Sequence, residues 1–219
     1  MAVKALIFDF DGTIADSSKG IMASMKYALE KNGVASGVTD ESKKNCIGPP
    51  LVPMIQRILN SEAKEELINK LAISYREHYT EKGLFMAELY EDVEKVLEIL
   101  STKYVLFVVS SKPKEFLEKL MSALGVRKYF KGVYGPDLGL APLKKAELVK
   151  DCMAENKIAT DECIMIGDKA EDIMAAKVNG IKTAGVLYGF GTVAELTQAG
   201  CGCLVEKPGN LIKLKYDSL

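Results

Sequence analysis

The chain has 219 residues, 48% of them hydrophobic, with 18 Gly and 7 Pro; this suits one α/β domain with a large insertion, or two small domains, around a sizeable core. Its 29 basic and 30 acidic residues leave a formal charge of -1, which excludes the strong basic field that binds a nucleic-acid polymer or an anionic membrane surface. No apolar run approaches the roughly 18 residues of a membrane span, and the apolar stretch after the first lysine is too short for a signal peptide, so a soluble, cytoplasmic chain is expected.

Val3-Lys4-Ala5-Leu6-Ile7-Phe8 reads as a buried strand running into the turn Asp9-Phe10-Asp11-Gly12-Thr13. Over residues 17–82 the pattern changes to a helical period, carried by Ile21, Met25, Ala28 and Leu29, by Leu51, Met54, Ile55, Ile58 and Leu59, and by Leu67, Leu71 and Tyr75. That stretch predicts an insert of three or four helices, broken at Asn32-Gly33 and Gly48-Pro49-Pro50. Beyond Leu84, helices are predicted near 92–100, 115–124, 145–156 and 171–179, alternating with strands at 105–109, around 133–134, at 163–166 and at 183–187. Strands spaced by helices of this length predict a parallel sheet covered on both faces. The five cysteines, Cys46, Cys152, Cys163, Cys201 and Cys203, are scattered and odd in number, and read as free thiols. With one histidine in the chain, Cys201-Gly202-Cys203 lacks the second half of a zinc site.

In an open parallel sheet the functional crevice lies outside the carboxyl ends of the strands, which directs attention to the polar residue ending each apolar run. Strand one ends in Asp9 and Asp11, the 105–109 run in Ser110-Ser111-Lys112, and the 163–166 run in Gly167-Asp168, with Asp172 four residues later in a helix's first turn. Lys144 and Lys145 open the preceding helix. Side chains two apart on extended backbone point the same way, so Asp9 and Asp11 face one site while Phe10 turns inward. With Asp168 they crowd three negative charges, tolerable only with a cation, and oxygen-only ligands select a hard one such as Mg2+. A hydroxyl, a lysine and the N–H groups of a helix start are what a phosphate needs. Singly, Asp-Gly is a turn, Ser-Ser-Lys-Pro a helix start and the lysine pair a solvated face; their force lies in joint occurrence at successive strand ends.

Asp9-Phe10-Asp11-Gly12-Thr13, Ser110, Lys145 and Gly167-Asp168-Lys169-Ala170-Glu171-Asp172 resemble, in order and across nearly the whole chain, the four motifs of the haloacid dehalogenase superfamily of phosphatases. Ile47-Gly48-Pro49-Pro50-Leu51, Ser110-Ser111-Lys112-Pro113 and the Gly185–Gly191 segment look closest to the phosphoglycolate phosphatase-like branch with a helical cap. The resemblance implies an α/β fold: a Rossmann-like parallel-sheet core at residues 1–15 and 85–219, with an inserted α-helical cap at 16–84. It implies a Mg2+-dependent phosphatase hydrolysing a small phosphorylated metabolite through an aspartyl-phosphate. Asp9 would be the nucleophile, and Asp11 the acid that protonates the leaving oxygen and then the base for water. Ser110 and Lys145 would hold the phosphoryl oxygens, with Gly12, Thr13 and Ser111 lining the phosphate site. Asp9, Asp168 and Asp11, the last through its backbone carbonyl, would ligate the metal, and Asp172 would stand behind them or bind through water. Adjacent lysines on a helix point about 100° apart; Lys145 is chosen because the branch places its lysine directly before the Ala-Glu found at Ala146-Glu147. Ser110 stands where the branch usually has threonine, and the apolar 138–143 segment replaces a usually polar loop.

The insert straddling strand one would close over the leaving group, with hinges near Ala15-Asp16 and 82–88. His78, among Tyr75, Arg76 and Tyr79, reads as an ordinary, partly exposed helix residue. Phosphoglycolate and nucleoside monophosphates are the leading substrates, and a β-phosphoglucomutase or pyrophosphatase fits the same framework. A receiver-type phospho-aspartate switch uses similar residues but in another chain order and without a cap. Gly189-Phe190-Gly191-Thr192-Val193-Ala194 fits a dinucleotide-binding fingerprint, yet only 25 residues follow the motif, so a Gly-rich loop at the sheet edge is expected there. A retired enzyme kept as a binding module is disfavoured because every expected catalytic position is filled.

Overall fold

The computed structural model describes residues 2–35, 47–59, 64–138 and 143–218. Among them the chain forms two compact units, Met1–Asp16 with Leu89–Leu219, and Ser17–Glu88.

The first unit is built on a six-stranded sheet of order β5-β4-β1-β6-β7-β8, in which every pairing is parallel. Its strands are Ala5–Phe8 (β1), Val105–Val109 (β4), Phe130–Tyr134 (β5), Cys163–Gly167 (β6), Lys182–Val186 (β7) and Cys203–Val205 (β8). Two short strands, Ala15–Asp16 (β2) and Glu88–Leu89 (β3), pair in a separate ladder. All four residues of β1 are buried, because it is paired on both edges, Ala5 opposite Val105 and Cys163, Phe8 opposite Val108 and Ile166. A strand covered on both faces has no solvent side, so it reads as a continuous apolar run rather than an alternating one.

Helices Val93–Ser101 (α4), Lys114–Ala123 (α5), Lys145–Asn156 (α6), Ala170–Val178 (α7) and Val193–Ala199 (α8) connect these strands. Helix α4 buries Val93, Val96, Leu97 and Leu100, the single apolar stripe that a 3.6-residue period lays on one side. One face of the sheet, carrying Ala5, Ile7, Phe107, Val109 and Met165, packs with Leu148, Val149 and Cys152 of α6 and Ala175 and Ala176 of α7. Burying each large aliphatic or aromatic side chain of such a layer contributes about 1.5–3 kcal/mol. From β1 the chain proceeds to β4 and β5 on one side and later returns to β6, β7 and β8 on the other. The strand order therefore reverses at β1, and the crevice this opens lies beyond its carboxyl end.

Residues 189–192 lie outside any helix or strand, as the Gly-rich-loop reading expects, and the chain beyond them holds elements that reading did not name. Thr192 caps α8 by accepting the Glu195 N–H, Gly200 ends it at φ +78°, and β8 adds a further strand. A seven-residue helix and a three-residue strand complete this edge of the sheet.

The second unit contains Ser18–Lys31 (α1), Leu51–Ile58 (α2) and Glu65–Glu81 (α3) among the described residues. Helix α1 buries Ile21, Met25, Ala28 and Leu29, the positions its periodicity singled out. A Cβ at Gly20 would lie 1.9 Å from the Gly83 carbonyl oxygen, so that approach demands glycine. His78 is half-buried, its Nδ1 3.0 Å from Ser24 Oγ and its ring stacked on Tyr27 at 4.8 Å. Gly48 takes φ +113° in the turn before α2, and the Met54 N–H donates to the Pro50 carbonyl at 3.0 Å. Cys46 and residues 139–142 of the apolar 138–143 segment lie outside the described residues. No helix among the described residues is long and apolar enough to cross a membrane.

Candidate active site

Asp9 follows the last residue of β1, and its N–H still donates to Ile166 O of β6 at 2.9 Å. The side chain is therefore carried at the end of a central strand paired on both edges. Phe10 points into the core and is fully buried, as the two-residue alternation predicts. Ser110 stands at the end of β4, its N–H donating to Tyr134 O of β5 at 3.0 Å. Asp168 follows β6, and Asp172 occupies the first turn of α7.

These strand ends converge. Lys145, the first residue of α6, donates from Nζ to Asp9 Oδ1 at 2.8 Å and to Asp172 Oδ1 at 2.6 Å. Asp172 also accepts the Lys169 N–H through Oδ2 at 2.9 Å, closing the helix start and fixing its carboxylate. Lys144 is exposed; it caps α6, and its N–H donates to Glu147 Oε2 at 3.0 Å. The helix geometry thus turns one lysine of the pair into the site and the other to solvent.

Asp168 is fully buried. Its Oδ2 accepts the Phe190 N–H at 2.7 Å, while Oδ1 is buried with no hydrogen-bond partner among the described residues. Three glycines make room for this residue. Gly12 has φ +91°, and a Cβ there would stand 2.2 Å from Asp168 Oδ2. A Cβ at Gly189 would stand 2.5 Å from the Asp168 Cβ, and one at Gly191 1.7 Å from the Asp168 carbonyl oxygen. The Gly189–Gly191 segment is therefore committed to packing on the acidic loop, which supports setting aside the dinucleotide reading. Tyr188 donates its hydroxyl to Thr13 O at 3.1 Å, tying the same segment to the turn after β1. Thr13 Oγ1 is buried without a partner among the described residues, and Ser111 is half-buried.

Oxygens of Asp9, Asp168 and Asp172 lie within 4.8 Å of one another. The Asp11 carboxylate is oriented differently: its Oδ1 accepts Lys112 Nζ at 2.6 Å, with side-chain exposures of 13% and 6%. The sequence places Lys112 at a polar strand end, in a helix-starting Ser-Ser-Lys-Pro and in the branch resemblance, but gives it no role of its own, because nothing local marks a lysine whose partner is 101 residues away. Four carboxylates (Asp9, Asp11, Asp168, Asp172) against two ammonium groups leave a formal excess of two negative charges. Burial raises Asp9 to a pKa of about 7; Lys145 opposes the rise, and Asp172 and Asp11 add to it. Burial, then Asp172 and Asp9, push Asp168 well above the usual carboxylate range. Burial depresses Lys145, but the attraction of Asp172 and Asp9 overcomes it and raises the ammonium's pKa. The cluster therefore favours added positive charge. An all-oxygen donor set with an unpartnered buried oxygen and a charge excess of two fits a hard divalent cation.

Residues 6–186 match the haloacid dehalogenase-like hydrolase family. The chain belongs to that family. It is 32% identical over 195 residues to a 5'-nucleotidase of Pseudomonas aeruginosa, covering 87% of this chain and 86% of that protein. It is 29% identical to a phosphoglycolate phosphatase of Vibrio parahaemolyticus, covering 86% and 85% of the two chains. Among solved structures, that of a predicted phosphatase from Clostridium acetobutylicum superposes with a TM-score of 0.90 at 31% identity, covering 97% of this chain and 98% of that one. This haloacid dehalogenase-like chain is accordingly a phosphatase-type hydrolase of the phosphoglycolate phosphatase-like branch.

Proposed function

We propose that the protein is a Mg2+-dependent phosphomonoesterase that hydrolyses a small phosphorylated metabolite through an aspartyl-phosphate on Asp9. The observation that carries this reading is the pairing of Asp9 with Lys145 at the end of the central strand, beside an Asp168 oxygen that is buried without a partner among the described residues. In the first step an oxygen of ionised Asp9 bonds to phosphorus in line with the ester oxygen, whose bond breaks as Asp11 delivers it a proton. In the second, water bonds to phosphorus, its proton passes to Asp11, and the Asp9–phosphorus bond breaks. The balance is ester plus water giving alcohol plus phosphate, with Asp9 and Asp11 restored. Lys145 and Ser110 hold the phosphoryl oxygens, and the turn formed by Gly12 and Thr13, with Ser111, lines the phosphate site. Asp9, Asp168 and the Asp11 carbonyl would hold Mg2+, which would neutralise charge on the carboxylates and the phosphoryl oxygens. Asp172 orients Lys145 and stands next to that ligand set. The helical unit Ser17–Glu88 is assigned as the cap that selects the leaving group.

Phosphoglycolate and nucleoside monophosphates lead as substrates, supported by the names of the two relatives. A screen of small phosphate esters, including hexose phosphates and pyrophosphate, with and without Mg2+ and beside Asp9→Asn tests the proposal. Phosphate release that requires Mg2+ and disappears in Asp9→Asn is expected. Release persisting unchanged in Asp9→Asn refutes the nucleophile, and turnover of pyrophosphate or hexose phosphate alone moves the substrate assignment.

A further inference from the structure

We infer that Lys112 is a positioning residue: it braces the general acid Asp11 against the hydroxyl of Ser110, an inference that rests on the roles just proposed. One residue makes both links. Its backbone N–H reaches Ser110 Oγ at 3.4 Å, and its side-chain Nζ donates to Asp11 Oδ1 at 2.6 Å. The lysine is itself held in place. Its ammonium lies 5.7 Å from the centroid of the Phe10 ring, and Phe10 is fully buried. Its carbonyl packs so closely on Gly135 that a Cβ there would stand 2.4 Å from it. The Lys114 N–H donates to Pro136 O at 3.0 Å, pinning the chain two residues on.

The physical need for such a brace follows from where Asp11 sits. It lies in the turn after β1, past the last ladder pairing of the strand and with only a local bridge to Ala15 beyond it, so the direction of its side chain is set by its own contacts rather than by ladder neighbours. A general acid acts only within hydrogen-bond reach of the leaving oxygen, and a misplacement of about 1 Å costs about 100-fold. A buried ion pair gives little net stability over apolar groups of the same volume. What Lys112 supplies is the orientation of the Asp11 carboxyl relative to the phosphate-holding hydroxyl.

The test compares kcat/KM, which reports steps through the first phosphoryl transfer, for two esters. Glycerol 1-phosphate has an alkoxide leaving group that needs a proton; p-nitrophenyl phosphate has one that departs as an anion. Lys112→Met is expected to lower kcat/KM about 10- to 100-fold on the alkyl ester and by about threefold or less on the aryl ester, the signature of impaired acid catalysis. Lys112→Arg, which keeps a cationic donor, is expected to recover most of the alkyl activity. Equal losses on the two esters, or none, overturn the inference. Asp11→Asn run in parallel separates the two levels. If it fails to discriminate between the esters, the acid assignment itself falls; if it discriminates and Lys112→Met does not, only the brace falls. Because Lys112→Met strips a buried carboxylate of its partner and can impair folding, the double variant Lys112→Met/Asp11→Asn repeats the test with both charges gone. It is expected to be no slower on the alkyl ester than Asp11→Asn alone, and a further loss of tenfold or more, beyond the non-additivity expected of coupled residues, counts against the brace.

Discussion

Replacing Asp168 by asparagine should stabilise the metal-free protein while destroying its response to Mg2+. Oxygens of Asp9, Asp168 and Asp172 lie within 4.8 Å of one another, and at an effective dielectric of 20 a charge pair at that separation repels by roughly 3.5 kcal/mol. Asp168 takes part in two such pairs, while Lys145 and proton uptake by the carboxylates offset much of the repulsion. The amide keeps the shape of the side chain and an oxygen for the Phe190 N–H, now at 2.7 Å. A net gain of about 1–3 kcal/mol remains, within the usual reach of one substitution, and this raises Tm by about 3–10 °C for a chain of this size. The assay is a thermal melt at pH 8 in EDTA and again in millimolar Mg2+, with exposed Asp151→Asn as a control expected to move little. The parent should gain Tm on adding Mg2+, Asp168→Asn should gain almost none, and its phosphate release should collapse. A lower Tm for Asp168→Asn in EDTA, or a Mg2+ response as large as the parent's, would refute the argument that these carboxylates repel each other until a cation joins them.

Further outcomes follow from the same site and from the core. In EDTA the folded protein holds a proton on Asp9 up to a pKa of about 7, well above the ordinary carboxylate value near 4. The Asp9 contribution to stability is therefore present below about pH 4 and is lost as pH rises to about 7; a melt series should show this decline, and Mg2+ should recover more Tm at pH 8 than at pH 6, whereas a pH-independent Mg2+ increment contradicts it. Gly12→Ala combines a left-handed φ of +91° with a Cβ 2.2 Å from Asp168 Oδ2; denaturant melts should show a loss of about 2–5 kcal/mol, and a near-neutral result would mean the turn is held otherwise. Burial pushes the Cys163 thiol up to about 12 and raises Cys152 as well, while Cys201 and Cys203 are half-buried. In a Cys46→Ser background, thiol labelling of the native protein should reach Cys201 and Cys203 well before the other two, and uniform labelling would disprove that ordering.

The parallel sheet was legible because its central strands are buried on both faces. The runs at 105–109 and 163–166 are continuous and apolar, and they coincide with β4 and most of β6. Helix α6 was read at its observed bounds. The edge was less legible: β8 is three residues long and follows a seven-residue helix, too short for either period to repeat. The candidate site residues Asp9, Ser110 and Asp168 follow from one rule, that the polar residue ending a buried parallel strand faces the crevice.

The pattern of residues along the chain was enough to determine the fold class, the family and the strand ends that hold the candidate site residues. Periodicity and burial are local properties, and motif spacing follows from the lengths of strands and helices. That Lys145, chosen over Lys144 on the resemblance, reaches both Asp9 and Asp172, and that Lys112 crosses to Asp11, show only in three dimensions. A charged side chain's partner depends on the burial that strips it of water and on the carboxylates that distant strand ends bring within reach.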